Sequence, residues 1–396
     1  MKKHARVLIA PDKFKGSLTA AEVASALARG IVDVRPDWRV EELPVADGGD
    51  GTVAAALGAG WQRVPVRVSG ATGLPTTAEY AIRGGRAVVE LANAVGLATL
   101  VEPEPLGSST FGLGEVIVDA VDRGSSEVII GLGGSASTDG GAGMLQALGA
   151  VITDENGHPI GRGGAGLAKV SRLDLTHLHP GVRRAQFVLA CDVDNPLLGP
   201  RGAAKVFAPQ KGATPADVTL LESALRRWAD VVEKAVGSRA CFFTAGGEET
   251  RTGGGGVGVG LREQPGAGAA GGTGFAGLAV LNAAMRPGID VVLDVIGFAE
   301  RVRGADLVIT GEGSIDSQTL AGKAPLGVSR AARAADARVI AVAGTCALNP
   351  RVLREYGFDA CYSLAEREPD QTKSMANAAE LLRGIGQRIA RDVSAT

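Results

Sequence analysis

IIGLGGSASTDGGAGMLQALG, residues 129–149, decides the fold. The β-type apolar run Val128–Ile130 ends in glycines, and a polar cluster of Ser135, Ser137, Thr138 and Asp139 follows. Apolar residues at helical spacing, Met144, Leu145 and Leu148, begin after Gly143. Strand, glycine turn and helix is the repeating unit of a parallel α/β sheet. Glycines let backbone N–H groups approach a ligand closely, and a helix N-terminus attracts anions. The stretch is therefore a candidate cradle for a phosphate or carboxylate; the plainer alternative is a glycine-rich turn with no ligand.

Working outward, the same rhythm opens the chain. Arg6–Ala10 is a predicted buried strand, and Thr19-Ala-Ala-Glu22 is a capping-box pattern for a helix to about Val34. Val40–Val45 is a second strand, ending in Ala46-Asp47-Gly48-Gly49-Asp50-Gly51-Thr52. Residues 64–69, 77–82 and 87–91 then read as consecutive strands, with Gly84-Gly85 as a turn, which implies an antiparallel meander and a second domain. Strands ending at Thr153, Ala190 and Thr310 follow, and Pro215 opens a helix to about Val236. From Asp306 the strand–helix alternation resumes. The expected fold is α/β with two domains. Residues 1–65 plus 290–396 form a discontinuous flavodoxin- or Rossmann-like parallel-sheet domain, and 66–289 form an inserted mixed α/β domain, with the active site in the cleft between them. The low-complexity run 248–268 is expected to be a mobile surface loop.

Composition excludes several classes. A net charge of −2 and 4% aromatics leave no basic field for nucleic acid. The 58 glycines have no collagen period. Cys191, Cys241, Cys346 and Cys361 form no CxxC and read as buried free thiols of a reducing compartment, and the four histidines form no HExxH. The apolar run after Lys3 is too short for a signal peptide, and no uncharged run reaches the ~18 residues of a membrane span. A soluble, cytoplasmic protein is expected.

Chemistry converges on strand ends. Five strand-like runs finish in small plus acidic or hydroxyl residues: Asp12; Asp47 and Asp50; Ser135 to Asp139; Asp192 and Asp194; Glu312 and Asp316. Open parallel sheets bind ligands beyond these carboxyl ends, where carboxylates hold Mg²⁺ or take a proton. Asp47, Asp50 and Asp139 are also plain helix-cap candidates. Lysines accompany the acids: Lys13 and Lys15, Lys205 and Lys211, and Lys323. Acids for a metal and lysines for phosphates are what phosphoryl transfer requires. No Walker A motif is present, because Gly322-Lys323 is followed by Ala324. Gly131-Leu-Gly-Gly-Ser-Ala136 satisfies GxGxx[GA], with Asp154 and Glu155 about 20 residues on, so a nicotinamide-dependent enzyme is an alternative on motifs alone.

Six longer segments resemble the type I glycerate kinases: APDKFKGSLTAAEVA (10–24), PVADGGDGT (44–52), GLGGSASTDGGAGMLQALGA (131–150), ACDVDNPLLGPRGAAKVFAPQKGA (190–213), GAGAAGGTGFA (266–276) and DLVITGEGSIDSQTLAGKAPLGV (306–328). They occur in family order along nearly the whole chain. The resemblance implies phosphorylation of D-glycerate, usually on the 2-hydroxyl, with ATP and Mg²⁺, and argues against a dehydrogenase. Ser314 stands where the family motif often carries Arg, and Thr138 where Asn is frequent. On this reading Asp47, Asp50, Glu312 and Asp316 are the metal candidates. Lys13, Lys15 and Lys323 act on the transferred phosphate or the substrate carboxylate, and Asp192 takes the hydroxyl proton. Ser17, Gly133, Gly134, Ser135, Ser137, Asp139, Asn195, Lys205, Lys211, Gly271, Gly272 and Thr273 bind substrate or phosphates. The alternatives are phosphorylation of the 3-hydroxyl or of a related sugar acid, and a non-catalytic sugar-acid-binding regulator. Leu381, Leu382, Ile385 and Ile389 on the last helix are a candidate homodimer surface, with core packing as the commoner use of such a face.

Overall fold

The computed structural model describes residues 4–237 and 260–394. Residues 248–259 of the glycine-rich run, and Cys241, lie outside the described residues. The chain divides into two compact units, Met1–Trp61 with Pro287–Thr396, and Gln62–Arg286.

The first unit is built on a five-stranded sheet in the order Ala360–Ser363, Arg338–Cys346, Leu307–Ile315, Arg6–Pro11, Arg39–Glu42. All its pairings are parallel. The central strands are apolar on both faces: Val7, Leu8, Ile9, Leu307, Val308 and Ile309 are fully buried, as a sheet covered by helices on both sides demands. The helix Ala20–Val34 starts at the expected capping box, with Thr19 and Glu22 bonded reciprocally. The last helix, Ala378–Ser394, lies against it. A Cβ on Gly30 would come 2.0 Å from the carbonyl oxygen of Arg383, so the backbones approach as only glycine permits. Leu382, Ile385 and Ile389 are buried in the same core as Leu27 and Ile31. That apolar face is interior to the unit, which removes it as a homodimer surface; each such side chain contributes about 1.5–3 kcal/mol of burial.

The strand expected to end at Thr310 runs on to Ile315. Its pairing with Arg338–Cys346 continues through Ser314–Thr345 and Ile315–Cys346, so Glu312 stands within the strand.

The second unit carries a six-stranded sheet in the order Ala284–Arg286, Gln186–Ala190, Glu127–Gly131, Arg86–Glu90, Pro75–Arg83, Gln62–Ser69. The first four strands are parallel and the last two complete the antiparallel meander. Ala284–Arg286 and Arg172–Asp174 escape sequence reading, because three-residue strands that each include a charged side chain give no apolar run. Cys191, Cys346 and Cys361 are free thiols, but half-buried rather than buried. Among the described residues no helix is long and apolar enough to cross a membrane.

Candidate active site

In the first unit acids gather around the carboxyl end of the strand Arg6–Pro11, from that strand and from the two beside it. Asp12 follows Pro11 at the end of the strand Arg6–Pro11. On one side, the chain beyond Glu42 stays bonded to that strand, Leu43 N–H to Ile9 and Val45 N–H to Pro11, and delivers Asp47. On the other side, Gly311 pairs with Pro11 and places Glu312 next along its strand. Asp12 and Glu312 are 7% and 9% exposed. Burial pushes the Asp12 carboxyl up to about 7; Asp47 and Glu312 push the same way, and Lys13 offsets part of it. The turn carrying Asp47 requires a close approach: a Cβ on Gly288 would sit 1.9 Å from the Asp47 carbonyl oxygen.

The lysines are partly engaged. Lys13 donates to the Asp50 carbonyl, and its ammonium is 3.5 Å from the Asp50 carboxylate. Burial works against the Lys13 charge, yet Asp12, Asp47 and Asp50 outweigh it, and the pKa rises. Glu312 accepts from Thr319 Oγ1 at 2.6 Å, with Lys323 Nζ 3.5 Å away. Burial still wins, and the Glu312 carboxyl is raised. Asp316 accepts the Gln318 and Thr319 N–H groups and caps its own turn. Lys15 is exposed, and Ser17 donates to the Met375 carbonyl. Of the four metal candidates, Asp47 and Glu312 therefore stand near Asp12, whereas Asp50 and Asp316 serve neighbouring loop groups. Among the described residues no three or more His, Cys, Asp or Glu side chains form a ready metal cage. Asp12 and Thr319 are the groups that motif reading left without a role. The strand-end rule pointed to Asp12; nothing in the sequence marked Thr319.

In the second unit the glycine-rich stretch is a strand, a long turn and the helix Ala142–Ala147. Gly133 and Gly134 stand at its accessible end, and Gly134 has φ +75°. The Ser135 and Ser137 hydroxyls are 3.0 Å apart and bond one another. Asp139 is fully buried. It accepts from Thr110 N–H and Oγ1, Gly141 N–H, Gly143 N–H and Ser109 Oγ. Burial nevertheless raises its carboxyl above the usual range. Its hydrogen-bonding oxygens are engaged with its own loop and its neighbours, so it holds the turn and is not presented to a ligand. Lys211, 2% exposed, donates to the Ser137 carbonyl beneath the same turn. Burial pulls its pKa down to about 8, partly offset by Asp139. Gly271, Gly272 and Thr273 are buried packing elements: with Ala270, the two glycines form a left-handed run (φ 51°, 66° and 92°) at the start of the helix Ala269–Val280. Asp192 and Lys205 are exposed, and Asn195 Nδ2 donates to the Arg201 carbonyl. Glu90, which sequence reading passed over, is a buried carboxylate ending the strand beside Gly131.

The two acid sites have different chemistries: the first gathers excess negative charge, and the second is internally bonded backbone. Against known proteins, the profile of the glycerate kinase family matches residues 7–394. The glycerate kinase of Bacillus subtilis is 42% identical, covering 99% of this chain and 97% of its own. The glycerate 2-kinase of Escherichia coli K12 is 40% identical over 91% of this chain and 90% of its own. A crystal structure from Salmonella typhimurium LT2, named as a candidate glycerate kinase 2, superposes with a TM-score of 0.82 at 38% identity and 99% coverage of both chains. The chain therefore belongs to the glycerate kinase family, and it is a kinase.

Proposed function

We propose that the protein transfers the γ-phosphoryl group of ATP, with Mg²⁺, to the 2-hydroxyl of D-glycerate. The observation that carries this reading is the gathering of Asp12, Asp47 and Glu312, with Lys13 and Lys323, around the carboxyl end of the strand Arg6–Pro11. Phosphoryl transfer needs this combination, because positioning and neutralisation of developing charge supply most of the catalysis. Further support comes from the name of the Escherichia coli relative, a glycerate 2-kinase.

The donor set fits Mg²⁺. It is made of hard oxygens, and Asp12 is held near pKa 7 by burial and by acids that a bound cation would relieve. The lack of a complete cage is compatible with an ion that arrives with nucleotide, since Mg²⁺ takes one or two carboxylates and completes its shell from phosphates and water. Asp47 and Glu312 are the residues that would hold it. When bound, it neutralises charge on the transferred phosphoryl group. Thr319 fixes the Glu312 carboxylate, and Lys323 adds positive charge beside it. Lys13 and Lys15 supply the cations for the glycerate carboxylate or the transferred group. Asp192, an exposed carboxylate, takes the hydroxyl proton. The Gly133–Ser137 backbone receives the nucleotide phosphates.

Incubation of the protein with Mg·ATP and D-glycerate, followed by ³¹P NMR, tests the reading. A 2-phosphoglycerate resonance is expected. A 3-phosphoglycerate resonance would keep the kinase and overturn the regiochemistry, and no phosphorylated product from folded protein would overturn the substrate.

A further inference from the structure

Lys211 sits in a segment whose other lysine, Lys205, is exposed, and the obvious role for both is contact with phosphate. The structure gives Lys211 a different place. Its side chain is enclosed, and its ammonium donates to the Ser137 carbonyl, 74 residues earlier in the chain. The other long-range ties to this turn lie on either side of that carbonyl. Leu97 N–H reaches Gly134 and Ala136 N–H reaches Val95 on the strand side. Trp228 Nε1 donates to the Gly140 carbonyl, and Gly140 N–H reaches Gly271 on the helix side. Asp139 accepts from groups at 109, 110, 141 and 143, also on the helix side. Between these anchors the Ser137 carbonyl is bonded by Ser135 Oγ, two residues away, and by Lys211.

We infer that Lys211 is a positioning residue for the nucleotide loop, fixing the Ser135–Thr138 backbone from beneath without touching phosphate. An apolar side chain of similar length would fill the space, but it would leave the Ser137 carbonyl short of its donor and take away the positive charge that Asp139 acts on. Charge and donor together explain why a lysine stands in a closed interior. The assignment of the loop to nucleotide rests on the proposed function; the brace itself does not.

The test uses Lys211→Met in the full chain and has two readouts. In ligand-free protein, hydrogen exchange at the amides of residues 135–138 is expected to speed up at least tenfold relative to wild type, with amides of the first unit unchanged. In steady-state assays, KM for Mg·ATP is expected to rise at least tenfold, while kcat and KM for glycerate stay within about threefold. Lys211→Arg, which keeps charge and donor, is expected to recover most of the nucleotide affinity. Unchanged exchange at 135–138 would overturn the brace. Faster exchange with an unchanged KM for ATP, in a wild-type enzyme that uses ATP, would show that the loop is braced but does not serve nucleotide. A kcat loss of a hundredfold or more at an unaltered KM would give Lys211 direct contact with the reacting phosphate and overturn the inference. Lys211→Leu, which also removes donor and charge, carries the same comparison if the Met variant does not fold.

Discussion

Asp12 and Asp139 are both buried carboxylates beyond strands of a parallel α/β sheet, and both have raised pKa values because burial penalises the charged form. Their surroundings diverge. Asp139 accepts five hydrogen bonds and has Lys211 as a buried counter-charge. Asp12 accepts the Lys13 backbone N–H and otherwise faces two further acids, Asp47 and Glu312, with one of the nearby lysines drawn toward Asp50. One carboxylate closes a loop. The other belongs to a cluster left with negative charge to be neutralised. Position at a strand end is thus not enough to identify a reacting group; the balance of charge and donors around it is what separates site from scaffold.

If that contrast is right, substitutions in the second unit should act on stability. The largest effect is expected for Asp139→Asn, which puts an NH₂ group among five donors and removes the negative charge that favours the Lys211 ammonium. A loss of about 4 kcal/mol in urea denaturation is expected, and an unchanged midpoint would break the comparison. Next is the pH dependence of wild type against Lys211→Met. The folded Lys211 loses its proton near pH 8, whereas the unfolded lysine keeps it to about 10.5. Between those values the unfolded chain binds more protons, so wild type should gain stability relative to the variant as pH rises from 8 to 10.5, by about 3 kcal/mol. A flat difference over that range would remove the buried charge. Gly271→Ala comes third. Its Cβ would lie 2.1 Å from the Ser137 carbonyl oxygen, at a backbone φ of +66°. About 2 kcal/mol of destabilisation is expected by calorimetry; a neutral result would mean that the turn is more yielding than its packing implies. The smallest effect is assigned to Asp50→Asn. The Asp50 side chain is 69% exposed, and an exposed pair of this kind contributes under about 0.5 kcal/mol. Loss of the fold or of turnover in this variant would promote Asp50 to the acid cluster.

Much of the architecture was legible in local pattern. Thr19 and Glu22 announce a helix start, Gly84-Gly85 announces a hairpin, and the strand–glycine–helix stretch at 129–149 announces a parallel sheet, because each signal lies within a few residues of its cause. The sites were legible as a rule about strand ends, and less so residue by residue. Local pattern puts Glu312 after its strand, although the strand runs through it; only pairing with Arg338–Cys346 carries it that far. Local sequence does not separate Lys211 from Lys205, although one is enclosed and the other exposed, since burial is decided by segments more than seventy residues away. Asp139, Gly271 and Thr273 carry the residue types of a phosphate site, and burial, which the sequence does not mark, encloses all three. Asp12 is legible as the acid of one strand end among five; its central place emerges only when Leu307–Ile315 pairs beside the first strand.

The most direct test of the central claim is phosphoglycerate formation by Asp12→Asn, measured together with its thermal stability. Asparagine preserves the acceptor for the Lys13 N–H and removes one negative charge. Turnover is expected to fall by about 10³-fold, roughly 4 kcal/mol of barrier, while the melting temperature holds or rises. Turnover within tenfold of wild type, or a collapse in stability like that expected for Asp139→Asn, would contradict the assignment of this cluster as the reaction centre.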